Sequence, residues 1–115
     1  MARKRAIDSI GEILSGRRIF IVAGYAYGRY GINSLSAIAM SCDADAFLGG
    51  AAFLFCSLSR KSIRILIWED DGYYLIERRI VSRSFRWPMK EDEECIKDRD
   101  AKDATHLLLS NQLFL

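Results

Sequence analysis

The runs Ile63-Arg64-Ile65-Leu66-Ile67-Trp68 and Tyr73-Tyr74-Leu75-Ile76-Glu77-Arg78-Arg79-Ile80 flank the dipeptide Asp71-Gly72, and this stretch limits the fold more than any other. Asp-Gly is a favoured two-residue hairpin loop, because the tight turn needs residues that tolerate a positive φ. The spacing therefore predicts a β-hairpin. With Asp71-Gly72 as the loop, Ile63 is set opposite Ile80, Ile67 opposite Ile76 and Arg64 opposite Arg79; a three-residue loop sets Arg64 opposite Arg78 instead. Either register opposes two arginines. Like charges across a strand pair are unfavourable, so the pattern implies a shared anion such as phosphate, or separate carboxylate partners such as Glu77.

A hairpin is stable only when its apolar face is covered. The chain has 115 residues, 50% of them hydrophobic, enough for one core and one domain. Ile7, Ile10, Ile13 and Leu14 recur at helical spacing over residues 6–14, and Gly16 is placed to end that helix. Residues 17–22 form a β-branched, apolar strand, residues 32–40 a second helix, and residues 52–56 another strand. Residues 84–87 alternate again and stop at Pro88, which predicts a short last strand. Glu91 to Asp100 is acidic and is expected to be a solvated link. Residues 101–109 form a short helix with Asp100 as N-cap and Ala104, Leu107 and Leu108 on one face. The expected fold is α+β: a single domain, with a mostly antiparallel sheet of about four or five strands and two or three packed helices. Residues 1–90 form the core domain, and residues 91–115 an acidic link and C-terminal helix packed on or near it.

Net charge is only +2, but its distribution is uneven: residues 1–90 carry 14 basic and 8 acidic side chains, residues 91–115 carry 3 and 7. A basic body with an acidic tail follows. The longest nearly apolar stretch, residues 46–56, is far short of the roughly 20 residues a membrane span needs. The basic N-terminus lacks a signal core, so a cytoplasmic location and no membrane partner are expected. Cys42, Cys56 and Cys95 are odd in number and show no CxxC spacing, which argues against disulfides and structural zinc.

The candidate nucleic-acid-binding residues are Arg29, Arg60, Lys61, Arg64, Arg78, Arg79, Arg83, Arg86 and Trp87. Arginines supply phosphate contacts, and Trp68, Phe85 and Trp87 are interleaved aromatics suited to stacking. The alternative is that the arginines solubilise an outer face while the aromatics fill the core. Residues 24–31 form a glycine-bearing loop in which Arg29 either clamps a phosphate or pairs with a carboxylate; it matches neither common nucleotide-binding fingerprint. Glu69, Asp70 and Asp71 sit at the turn, where Asp is favoured for backbone reasons, so a metal-dependent nuclease is only a minor alternative. His106 has no catalytic partner pattern. No cofactor and no metal site are expected. The run Glu91-Asp92-Glu93-Glu94 is a solvated linker or a cover for the basic face. The apolar end, including Leu113, Phe114 and Leu115, either docks on the domain or joins a second copy or another protein.

One resemblance adds to this reading. Residues 19–25, Arg29 and residues 31–35 follow the order of an opening strand, an Arg-centred loop and a helix start. Phe53-Leu54-Phe55, Ile63-Arg64-Ile65-Leu66, Trp68, Asp71-Gly72, Arg78-Arg79 and Phe85-Arg86-Trp87-Pro88 then follow in matching order and spacing. Residues 19–88 thereby resemble the TnpB-type accessory proteins of the IS-sixty-six insertion sequences, which are distinct from the RNA-guided nuclease of the same label. The chain departs from the family where Tyr27 replaces an acidic residue and Tyr30 a lysine. The resemblance implies a non-enzymatic accessory role in DNA transposition of a bacterial element, beside a separate transposase. Two mechanisms are compatible: binding the element's DNA through the basic hairpin face, or acting as an adaptor for the transposase or another element-encoded protein without touching DNA.

Overall fold

Residues Ile19, Phe20 and Ile21 are each fully buried, and the period-2 alternation of a strand sends them into two different cores. Ile19 and Ile21 join a cluster with Leu14, Leu54, Ile65 and Leu107, whereas Phe20 and Val22 join one with Leu35, Phe47, Phe53 and Leu66. Continuous apolar runs are what a strand covered on both faces requires. The computed structural model describes residues 3–26, 31–87 and 95–110. Its elements are α1 (Ala6–Leu14), β1 (Ile19–Ala26), α2 (Ile32–Leu48), β2 (Ala52–Ser57), β3 (Ser62–Glu69), β4 (Gly72–Arg79), β5 (Cys95–Arg99) and α3 (Ala101–Ser110).

The strands form one sheet in the order β4-β3-β2-β1-β5. β1 and β2 are parallel, joined through α2, and the other three pairings are antiparallel. The α+β class and mostly antiparallel sheet therefore hold, with helices on both faces. α1 and α3 cover one face and α2 the other. Under α2, cross-strand partners Phe20 and Phe53 stack with centroids 4.6 Å apart, while Phe47 meets Phe53 edge-on at 5.6 Å.

Three expectations about elements are corrected. The second helix runs on to Leu48, past a break at Asp43 (φ −164°, ψ 96°). The Asp43 carboxylate accepts the Ala46 N–H at 3.0 Å, so its side chain caps the segment that restarts after the break. Residues 84–87 form no strand; Phe85 and Trp87 instead drop into the first core. The fifth strand is β5, inside the stretch expected to be a solvated link: Cys95 is buried and Ile96 packs on the core. α3 agrees with its N-cap, since Asp100 Oδ1 accepts the Asp103 N–H at 2.8 Å and Ala104, Leu107 and Leu108 are fully buried.

Arg17 fastens these layers. Its Nε donates to the Ile13 carbonyl at the end of α1 (2.9 Å), Nη1 to the Gly50 carbonyl before β2 (2.7 Å) and Nη2 to Glu69 at the end of β3. Gly50 adopts φ +94°, and a Cβ there would sit 3.2 Å from Arg17 Nη1. Among the described residues no helix is long and apolar enough to cross a membrane.

Candidate nucleic-acid interface

The hairpin turns one residue earlier than its favoured dipeptide suggests. Asp70 and Asp71 both take positive φ (54° and 60°), the pattern of a two-residue type I′ turn, and Gly72 becomes the first residue of β4. Every cross-strand partner shifts with it. Ile65 faces Ile76, Ile63 faces Arg78, Ser62 faces Arg79, and Arg64 faces Glu77. The opposed arginines expected from the sequence do not occur; Arg64 Nε instead donates to Glu77 Oε1 at 2.8 Å. The carboxylate alternative to a shared anion is the one adopted. Glu69, at the end of β3, pairs with Arg17. No group of three or more potential ligands suited to a metal occurs among the described residues.

Two backbone bonds gather the basic end of the hairpin. Ile80 N–H donates to the Lys61 carbonyl (2.8 Å) and Phe85 N–H to the Arg60 carbonyl (2.6 Å), so residues 80–85 lie against the β2–β3 connection. Residues 57–64 and 78–87 contain Arg60, Lys61, Arg64, Arg78, Arg79, Arg83 and Arg86 and no Asp or Glu. These seven cations have different roles. Arg78 Nε donates to the Leu108 carbonyl (2.9 Å) and Arg83 Nη2 to the Leu109 carbonyl (3.1 Å), so both cap the C-terminal end of α3. Cations suit that end, where unpaired carbonyls and the helix dipole concentrate negative potential. Lys61 Nζ donates to the Arg83 carbonyl at 3.3 Å.

Arg60, Arg79 and Arg86 are exposed and form no ion pair with the described residues. Arg60 holds φ +61° at the tip of its connection. Trp87 is 6% exposed and its indole N–H donates to the Val22 carbonyl at 2.7 Å, which makes it a core anchor. Phe85 is fully buried as well, and Trp68 packs edge-on against Tyr73 with centroids 5.0 Å apart. The aromatics interleaved with the arginines thus mostly support the surface from beneath.

Arg5, just before α1, was not among the expected site residues. It lines a cavity of about 390 Å³ with Arg78, Arg79 and Glu77, alongside apolar residues that include Ile7, Ile10 and Leu109. The basic run Arg3-Lys4-Arg5 was the available signal, but only the fold brings it to the hairpin. Arg29 and the adjoining loop residues, like the acidic run 91–94 and residues 111–115, lie outside the described residues. His106 is partly buried on α3. Cys56 is in the core, where burial pushes its thiol pKa from 9.0 up to about 12 against the opposing pull of Arg60.

A family model described as IS66 Orf2 like protein matches residues 17–109. That span opens on Arg17, which joins three elements, and closes on Leu109, whose carbonyl Arg83 caps. No curated protein and no solved structure matches the chain significantly. With most of its length covered, from the first strand through the last helix, the chain belongs to the IS66 Orf2-like family, and it is an accessory protein of insertion-sequence transposition.

Proposed function

We propose that the chain serves transposition by holding nucleic acid against the basic end of its hairpin, through Arg60, Lys61, Arg79 and Arg86, with Arg5 at the margin. The observation that carries this reading is the exposure of Arg60, Arg79 and Arg86, without a carboxylate partner among the described residues, on two adjoining segments that contain no acid. Gathering cations on adjoining segments that carry no acid costs electrostatic energy, and a polyanion offsets that cost. The contacts would be mostly to phosphate, so binding should be salt-sensitive and only weakly selective for sequence. We assign Arg64, Arg78 and Arg83 mainly to holding the surface in place, because each directs one guanidinium N–H to a partner within the protein.

The test is fluorescence anisotropy with labelled element-end DNA and scrambled DNA of equal length, titrated over a range of salt. Removing one cation that neutralises a phosphate should flatten the slope of log K against log salt by about 0.9 for duplex DNA. Replacing Arg60, Arg79 and Arg86 together with alanine should flatten it by about 2 to 3 and leave the thermal midpoint nearly unchanged. Absence of binding at low salt would refute this reading in favour of an adaptor that contacts only protein.

A further inference from the structure

The two edges of the sheet are not alike. β5 spans five residues, Cys95–Arg99, carries Lys97, Asp98 and Arg99, and its pairing with β1 shifts register between Ile19 and Ile21. Short length, charge and irregular pairing are the usual protections of an open strand edge. β4 has none of them along most of its length. It spans eight residues in unbroken register with β3, and Tyr73, Tyr74 and Leu75 are 38%, 57% and 39% exposed.

The bond from Ile80 N–H to the Lys61 carbonyl fixes which backbone groups of β4 are committed inward. Alternation from that pair turns Ile76 and Tyr74 toward β3, and turns the N–H and C=O groups of Tyr73, Leu75, Glu77 and Arg79 outward. This outward row is self-complementary when read antiparallel about Leu75. Leu75 then meets its own copy, Tyr74 meets Ile76, and Tyr73 meets Glu77. Arg79 and Asp71 lie four positions to either side of Leu75, so the same register sets Arg79 beside Asp71 of the second copy, and in the dimer the nucleic-acid surface proposed above rests on Arg60, Lys61 and Arg86. Both are exposed, and neither forms an ion pair among the described residues. No like charges face each other. On the face covered by α1, a cavity of about 430 Å³, lined by Ile13, Ile67, Tyr74 and Ile76 together with Glu12 and the Arg17–Glu69 pair, leaves room for amphipathic side chains such as tyrosine beside this edge.

We propose that β4 is a dimerisation edge: two copies of the chain pair antiparallel through β4 about a twofold axis at Leu75, extending the five-stranded sheet into a continuous ten-stranded one. The occupant is a second copy because apolar pairing and the Arg79–Asp71 charge match share one centre that the hydrogen-bond phase allows, a coincidence that an unrelated strand does not require.

The test uses the full chain in sedimentation velocity over a concentration series, with Leu75→Lys and Leu75→Glu variants. Both substitutions fall on an exposed position, and circular dichroism checks that each variant is folded. Each should weaken self-association at least tenfold by setting like charges across the axis. An equimolar mixture of the two variants should restore a dimer, since the introduced lysine and glutamate then face one another. A wild-type chain that stays monomeric at concentrations on the order of 100 micromolar, the scale of weak specific association, would overturn the proposal. So would a dimer that neither variant weakens, or one abolished in both variants and not restored by mixing. A dimer that survives both substitutions but disappears on deletion of residues 111–115 would assign association to the C-terminal tail instead.

Discussion

Arg17 and Glu69 are 52 residues apart in sequence, yet their side chains close an ion pair that ties the end of α1 to the far end of β3. The same guanidinium also holds the carbonyls of Ile13 and Gly50. Each of its three nitrogens donates to a different element, so its value lies in joining separate elements and not in a surface pair alone.

Arg17→Ala should accordingly destabilise the protein by about 2–3 kcal/mol, more than an exposed ion pair is worth, because it leaves two carbonyls and a carboxylate without their donor. Arg17→Lys should recover less than half of that loss, since an ammonium cannot reproduce the planar fork. Urea unfolding followed by circular dichroism measures both; a midpoint unchanged in Arg17→Ala would contradict the role assigned to this residue.

Trp87 makes a different prediction. Its indole N–H is bonded to Val22 in the central strand and its ring is buried, so Trp87→Phe should cost about 1–2 kcal/mol while retaining most of the packing. Trp87→Ala should cost about 3–5 kcal/mol by adding a cavity. Neither should change the salt slope of nucleic-acid binding in variants that remain folded, which separates Trp87 from a stacking residue.

The arginines should divide into two sets. Arg78→Ala and Arg83→Ala remove caps from α3 and should each cost about 1 kcal/mol, with faster amide exchange concentrated at the end of that helix. Arg79→Ala and Arg86→Ala should each change stability by less than about 0.5 kcal/mol. Hydrogen exchange mapped by mass spectrometry distinguishes the sets.

Cys56 gives a pH dependence. Burial raises its thiol pKa from 9.0 to about 12 in the folded protein. Between those values the unfolded chain has released a proton that the folded chain retains, so this contribution to stability is complete below pH 9 and is lost as pH rises toward 12. Cys56→Ser should reduce the fall in thermal midpoint across the accessible alkaline part of that window. At pH 8, Cys56 should react with a maleimide only as fast as the protein opens, whereas the partly exposed Cys42 reacts from the folded state.

Elements whose local pattern agreed with their final surroundings could be read from sequence. α3 is the clearest case: Asp100 caps it, and its apolar stripe is the buried face. The hairpin was equally legible, but its register was not. Asp71-Gly72 is the commoner loop, yet Asp70 and Asp71 both accept the left-handed region, and the tertiary pairing of β3 with β4 selected them. That one-position shift decided the site, since it set Arg64 against Glu77 in place of another arginine. β5 gave little local signal because three of its five residues are charged and its strand character comes from pairing with β1. Arg5 reaches Arg78 and Arg79 only through the docking of α1, a juxtaposition that no local pattern encodes.

The order of the sheet has a consequence for synthesis. β1 is the first strand to be made and sits between β2 and β5, the last. During translation β1 can pair with β2 as soon as residue 57 is available, but its other edge remains unsatisfied until residue 99 has emerged. The nascent chain therefore spends about 40 residues, or roughly 2–8 seconds at ordinary elongation rates, with a central strand open on one side. A ribosome stalled in that interval leaves a fragment with an exposed β1 edge, and a chaperone that covers extended apolar segments would act on this protein at that stage.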